Sequence, residues 1–404
     1  MSRILEIAQS LEPELVELRR ELHQVPEIGL ELPRTQQTIL NALEGLDLEV
    51  TLGRKLSSIV AVLRGGAAHA DGPRPAVLLR GDMDALPVTE EVDVDYRSSV
   101  PGAMHACGHD LHVAALVGAA KILHEVRDDL AGDVVLMFQP GEEGPGGAEP
   151  MIREGLLTAS GTRVSAAYTL HVFSAEHPLG TWFGRPGPQM AAADEMYVRV
   201  LGQGGHGSQP HRAKDPIPAM CQMVVGLQTL VTRQFDVFDP VVITVGKVAA
   251  GTKENIIPDD AFFEATIRTL SPEARHRAHE RLQQLVRGIA RAHGLEVEID
   301  YRLAYPVTSN DADEFAFARQ TIVDLFGEDR WTDMLNPELG SEDMSYVLDE
   351  VPGAYLNLSA CATGDHHLAE DNHSPRAMFD DSVVADGAAF LAEVARRRLR
   401  AFTA

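Results

Sequence analysis

Cysteine is scarce in this chain: Cys107, Cys221 and Cys361 are the only three in 404 residues. Their spacing suggests no disulfide framework, as in proteins of a reducing compartment. Long apolar runs are missing. No stretch approaches the ~18 consecutive apolar residues that span a bilayer. The N-terminal MSRILEIAQSLEPELVELRREL is a charge-crowded amphipathic pattern with neither the apolar core nor the small-residue cleavage site of a signal peptide. The expectation is a soluble cytoplasmic protein with no membrane partner. Basic residues are also outnumbered: 35 Lys and Arg against 60 Asp and Glu give a formal net charge of -25. Such a surface repels phosphate backbones, so nucleic acid is not an expected partner. The charge is spread along the whole chain, and solubility alone accounts for it.

The length allows two or three domains of ~150 residues, each able to bury a core. Short apolar runs alternate with helical patterns, the signature of an α/β domain. SSIVAVLRG, PAVLLRG, DVVLMFQPG and AAYTLHV read as strands, and HVAALVGAAKILHEV between them has helical spacing. After the loop FGRPGPQM the pattern changes to strand (DEMYVRVLG), helix (DPIPAMCQMVVGLQTLVTRQ), strand (PVVITVGKV), strand (DAFFEATIRTL), helix (SPEARHRAHERLQQLVRGIARAHG) and strand (LEVEIDYRL). This β-α-β-β-α-β order is that of a ferredoxin-like sandwich. Beyond about Pro306 the chain returns to α/β character. The expected architecture is a discontinuous α/β domain at 1–185 and 304–404, with an inserted ferredoxin-like α+β domain at 186–303. GGAAHADGPRP is the one short low-complexity loop.

Chemically suggestive residues cluster at the ends of these strands. In MHACGHDLH, Cys107 and His109 stand one residue apart at the mouth of a helix, where the helix dipole favours a thiolate. A thiolate and an imidazole this close suit a borderline-soft cation such as zinc. A buried free cysteine beside a capping aspartate is the plainer alternative. FQPGEEGPGG places Glu142 and Glu143 in a glycine-rich loop after a strand; adjacent carboxylates repel unless a cation or a proton joins them. An isolated pair of this kind is more often a solvated acidic turn. His171 ends AAYTLHV and His373 lies in DNHSP, and either histidine alone would count as structural or exposed. Together, Cys107, His109, Glu143, His171 and His373 make five ligands of the types two metal ions need, with Glu142 left over as a general base.

The sequence resembles the metal-dependent aminoacylase and hippurate hydrolase group, which includes the plant auxin-conjugate hydrolases and is related more distantly to carboxypeptidase G type metallopeptidases. The resemblance covers nearly the whole chain. It is carried by ELHQVPEIGLELPRT (21–35), LLRGDMDALPVTEE (78–91), MHACGHDLHVAALVGAA (104–120), FQPGEEGPGGAEPMIREG (138–155) and LHV (170–172). It continues through GGHGSQPHRAKDPI (204–217), GTKENIIPDDAFFEATIRT (251–269), GSEDMSYV (340–347) and NHSP (372–375).

The resemblance implies a catalytic domain interrupted by a lid, two divalent ions on Cys107, His109, Glu143, His171 and His373, and Glu142 as catalytic base. Zinc is the expected ion, with manganese, cobalt and nickel as alternatives. Where the carboxypeptidase G branch has a ligand histidine, this chain has Asp82, which leaves Asp84 as a residue that orients a ligand. In the lid, His206 matches a position that stabilises the oxyanion, in some relatives across a dimer interface; Asn255 and Arg268 match positions that bind the substrate carboxylate and amide. For His211 the resemblance leaves function and loop structure open. The implied reaction is hydrolysis of N-acyl amino acids by a homo-oligomer, the alternative being a dipeptidase or carboxypeptidase acting on short peptides. Two other classes compete: a thiol hydrolase with Cys107 activated by His105 or His109, and a binding protein without catalysis, which would have no use for Glu142.

Overall fold

The computed structural model of the chain describes residues 2–68 and 73–403. It divides into two compact units, one of Met1–Gly187, Ser309–Leu335 and Tyr346–Ala404, the other of Pro188–Thr308 and Asn336–Ser345. Of the low-complexity loop GGAAHADGPRP, residues 69–72 lie outside the described residues.

The first unit is built on an eight-stranded sheet. Its strands include β1 (Glu49–Leu52), β2 (Ile59–Leu63), β3 (Ala76–Asp82), β4 (Asp133–Gln139), β5 (Ala166–Phe173) and β6 (Trp182–Gly184). The spatial order is β1-β2-β4-β3-β5, then Gly353–Ser359, β6 and Trp331–Asp333. The central neighbours β4-β3, β3-β5 and β5 with Gly353–Ser359 are parallel. Every residue of β3 and β4 is buried, which is why they read as continuous apolar runs instead of alternating ones. Helix α1 (Arg3–Gln24), α2 (Pro33–Ala42), α3 (His109–Glu125) and the C-terminal helix Val383–Phe402 supply the covering layers, with α3 packed against both α1 and the C-terminal helix. Alanines and Gly118 along α3 permit this close approach; a Cβ on Gly118 would meet Leu15 at 2.6 Å and Ala388 at 2.7 Å.

Within this core α1 carries two buried charges. Arg19 Nε lies 2.9 Å from Asp110 Oδ2, and a second guanidinium nitrogen lies 2.9 Å from Asp381. His23 reaches Asp110 at 2.7 Å and Glu90 at 3.2 Å. Burial acts to lower the His23 pKa, but the two carboxylates outweigh it and leave it raised. The cluster ties α1 to the first turn of α3. Removing one member strands the others in low dielectric, so Arg19→Leu is expected to destabilise the protein by about 3–5 kcal/mol. Denaturant titration checks this, and a loss within experimental error of zero would show that His23 alone compensates Asp110.

The second unit is a four-stranded antiparallel sheet in the order Val241–Ala250, Asp260–Thr269, Ala192–Leu201 and Glu296–Leu303. Burial alternates residue by residue along the two central strands, so one face is covered and the other is open. Helices from Pro216–Gln234 and Pro272–Ala292 cover that face around Met196, Val198, Phe263, Leu227 and Leu282. The α/β class with an inserted β-α-β-β-α-β unit is thus the observed one. The second unit differs from the expected 186–303 by extending to Thr308 and including 336–345. Backbone bonds bring that distant segment in: Glu338 N donates to Gln189 O at 2.9 Å, and Ala191 N to Gly340 O at 2.9 Å. Hydrophobic periodicity carries no trace of such loop-to-loop bonds.

Candidate metal centre

The carboxyl ends of parallel strands form a crevice where ligands bind in open α/β sheets, and four segments of the first unit deliver donors there. Cys107 sits in the turn entering α3, whose preceding residue, Gly108, has φ +79. A side chain at Gly108 would be strained and would strike Val172 at 2.4 Å, so the turn needs glycine. Glu142 and Glu143 follow β4, His171 lies near the end of β5, and His373 lies in the loop before the C-terminal helix.

The donors converge. Cys107, His109 and His171 have ligand atoms within 4.8 Å of one another, as do Cys107, Glu143 and His373, and His109, Glu142 and Glu143. Cys107 Sγ is 3.4 Å from His171 Nε2 and 3.2 Å from His373 Nε2. Glu143 Oε1 is 3.3 Å from His373 Nε2 and 3.8 Å from His109 Nε2. All five expected ligands and Glu142 therefore lie in one cluster, with Cys107 common to two of the groups.

Electrostatics match this geometry. Burial, reinforced by neighbouring histidines, holds His171 well below its ordinary pKa, in the neutral form that ligates. Glu143 is held below the usual carboxylate range although burial opposes this, chiefly by the hydrogen bond from His373. His373 itself is pushed up to about 10 by Cys107 and Glu143, a measure of the negative charge concentrated there. His105 is pushed down to about 3 by burial and has no hydrogen-bond partner on either ring nitrogen. It is therefore not in position to activate Cys107.

Supporting contacts fix the donors. The carboxylate of Asp84 accepts the backbone N–H of Glu142 at 2.9 Å and of Glu143 at 3.1 Å. Its backbone carbonyl accepts from His109 Nδ1 at 2.9 Å. One residue thus orients three members of the cluster and directs His109 Nε2 inward. That atom is buried and has no hydrogen-bond partner, as expected of a donor awaiting a cation. Asp82 borders the cluster: one oxygen pairs with Arg80 at 2.6 Å and stands 3.6 Å from His109 Nε2, the other meets His112 at 2.5 Å, and Asp82, His109 and His112 also have ligand atoms within 4.8 Å of one another. Asn372 precedes His373 within DNHSP, and the sequence alone assigns it no role. Its amide donates to Val172 O at 3.0 Å and its oxygen accepts Ser174 N–H at 2.9 Å, while His373, at φ +71, donates its own N–H to Ala106 O at 2.8 Å. These bonds hold the strained His373 backbone against β5 and the Cys107 turn.

A sulfur, three imidazoles and a carboxylate, with no ammonium or guanidinium among them, fit divalent ions of the zinc type. In the second unit His206 and Asn255 are neighbours. The two-residue strand Gly205–His206 pairs with Ile256–Ile257, and Gly207 N donates to Asn255 O at 2.9 Å. His206 Nδ1 accepts the N–H of Ser208 at 3.1 Å. Arg268 stands elsewhere, opposite Ala193 and Val242, eight residues along its strand from Asp260. At ~3.4 Å per residue this is roughly 27 Å. Burial lowers the Arg268 pKa, and one of its terminal nitrogens is buried without a hydrogen-bond partner. The exposed His211 lies in the single turn Pro210–Arg212.

This fold and this site define a metal-dependent hydrolase of amide bonds. The chain belongs to Peptidase family M20/M25/M40, whose profile matches residues 78–397. It is 35% identical over 383 residues to thermostable carboxypeptidase 2 of Saccharolobus solfataricus, covering 94% of each chain. It is 36% identical over 371 residues to N-acetyldiaminopimelate deacetylase of Priestia megaterium, covering 90% of this chain and 94% of that one. A solved structure from Bacillus subtilis, described as a dinuclear metal binding peptidase of the M20 family, superposes with a TM-score of 0.81 at 29% identity, covering 97% and 99% of the two chains. Among the described residues no helix is long and apolar enough to cross a membrane.

Proposed function

We propose that the protein hydrolyses the amide bond of N-acyl amino acids, releasing a carboxylic acid and a free amino acid. The observation that carries this reading is the cluster of Cys107, His109, Glu143, His171 and His373 with Glu142 beside it. In this reading the five residues hold two divalent ions, zinc being the first choice from the thiolate and imidazole donors. Such ions supply Lewis acidity, lowering the pKa of water and polarising a carbonyl.

Glu142 acts as the base: it takes a proton from water as the oxygen attacks the amide carbon, and delivers that proton to the departing nitrogen. Asp84 keeps Glu142 and Glu143 in register through their amides. Arg268, with a guanidinium nitrogen awaiting a partner, suits the substrate carboxylate. His206 serves as the hydrogen-bond donor to the oxyanion. Because His206 and Asn255 stand far from Arg268 within one unit, a single lid cannot bring all three to one substrate. They serve the site of a second copy in a homo-oligomer, and the first and second units act as catalytic and lid domains.

The test is hydrolysis of a panel of N-acetyl, N-benzoyl and long-chain N-acyl amino acids beside dipeptides, using chelator-stripped protein with and without zinc, manganese or cobalt. Metal-restored release of amino acid from the acylated compounds is expected. Cleavage of dipeptides alone would assign a peptidase, the reading favoured by the carboxypeptidase relative. Activity indifferent to stripping would overturn the metal mechanism and return Cys107 to the role of nucleophile.

A further inference from the structure

The sheet of the first unit opens between β3 and β5. The two strands pair from Val77 opposite Ala166 to Arg80 opposite Thr169 and no further, while β3 continues beside β4 to Asp82 opposite Gln139. In a parallel ladder alternate amides point to the same neighbour. Ala167 N donates to Pro352 O, on the side of Gly353–Ser359. The amide of Val172, five residues on, therefore points to the β3 side, where the pairing has ended. It is received by a side chain: Val172 N–H donates to His112 Nε2 at 2.8 Å. The other ring nitrogen of His112 meets Asp82 Oδ1 at 2.5 Å. An imidazole that accepts at Nε2 carries its proton at Nδ1, so the tautomer is fixed by these two contacts. Asp82 is paired with Arg80, whose Nε donates to Gln139 at 3.0 Å. All four side chains are buried.

We propose that His112 is a positioning residue that replaces the missing stretch of β3-β5 pairing and so sets how His171 is presented to the metal centre. The peptide group it grips joins His171 to Val172. Its ring packs on His171, with centroids 4.7 Å apart, and lies 5.4 Å from the ring of His109, one helical turn earlier on α3. The chain Gln139–Arg80–Asp82–His112–Val172 thus spans β4, β3, α3 and β5 and locks the edge that carries a donor facing Cys107. The inference rests on the metal-centre reading.

The test compares cobalt(II) binding by the wild type, His112→Phe, His112→Gln and His112→Asn. Stoichiometry is read by equilibrium dialysis, affinity by chelator competition, and ligand geometry by the visible bands of bound cobalt. Phe removes both contacts. Gln keeps an acceptor long enough for Val172, whereas Asn keeps only a donor for Asp82. The wild type is expected to bind two ions, and His112→Phe and His112→Asn to bind one of them roughly 10- to 100-fold more weakly, with altered cobalt bands. His112→Gln is expected to restore most of the affinity. If His112→Phe does not fold, the Asn and Gln pair carries the same comparison. Wild-type affinity and spectrum in the variants that fold, even with a lowered apo melting temperature, would reduce His112 to a structural residue and overturn the proposal. A wild type that binds no cobalt would overturn the metal-centre reading first and this inference with it.

Discussion

Glu142→Gln is expected to lower kcat by about 10²- to 10⁴-fold while leaving KM and metal content close to those of the wild type. The substitution keeps the shape of the side chain and removes its ability to take a proton. The loop around it is held through its backbone, by the Asp84 carboxylate receiving the amides of residues 142 and 143, so neither Glu143 nor His109 should move. The loss converts to about 2.7–5.5 kcal/mol of barrier, a cost confined to the transition state. Steady-state kinetics with metal-restored protein, together with elemental analysis of the variant, provide the measurement. Near-normal turnover would remove Glu142 from the mechanism, and loss of metal with activity would move it into the ligand set. Asp84→Ala, in contrast, frees the amides of Glu142 and Glu143 while the backbone carbonyl that receives His109 remains, and should affect metal binding through Glu143 as well as rate.

The legible parts of the molecule are those whose cause is local. β3 and β4 are legible because strands buried on both faces are continuous apolar runs, and the central strands of the second unit because a half-covered sheet alternates. The convergence of Cys107, His109, Glu143, His171 and His373 could be anticipated because donors gathered at strand ends form a set, even though each alone has a plainer explanation. Gly353–Ser359, which lies between β5 and β6, was not singled out although it is wholly buried. Its GAYLNLS is short and mixed in polarity, and its place in the sheet depends on pairing with β5 and not on its own pattern. The supporting residues were hidden for a related reason. Arg19, Arg80, His112 and Asn372 act through partners between 2 and 362 positions away, and a buried charge looks like a surface charge until its partner is known. His112 carried one faint signal, a second histidine three residues after His109 on the same face of α3. In the second unit the limit is distance: Arg268 stands eight residues along its strand from Asp260, and its separation from the turn that carries Asn255 is invisible in the spacing of the two motifs.

Cys107→Ala should be more damaging than loss of either His171 or His373. Its sulfur belongs both to the group with His109 and His171 and to the group with Glu143 and His373, whereas each of those histidines at 171 and 373 belongs to one. His171→Ala or His373→Ala is therefore expected to leave one ion bound, and Cys107→Ala to weaken both. Since metal activation is worth several kcal/mol, activity should fall by at least about a thousand-fold. That result alone would not exclude a nucleophilic thiol, because either mechanism loses Cys107. Cys107→Asp separates them: a carboxylate keeps the negative charge and is an accepted ligand of zinc-type ions, but it cannot form a thioester. Under the metal reading this variant recovers metal binding and a measurable part of the rate lost in Cys107→Ala, both readable by metal titration and hydrolysis of the best acylated substrate. If it binds two ions and yet stays as inactive as the alanine variant, the sulfur is doing chemistry rather than holding metal, and the thiol mechanism takes precedence.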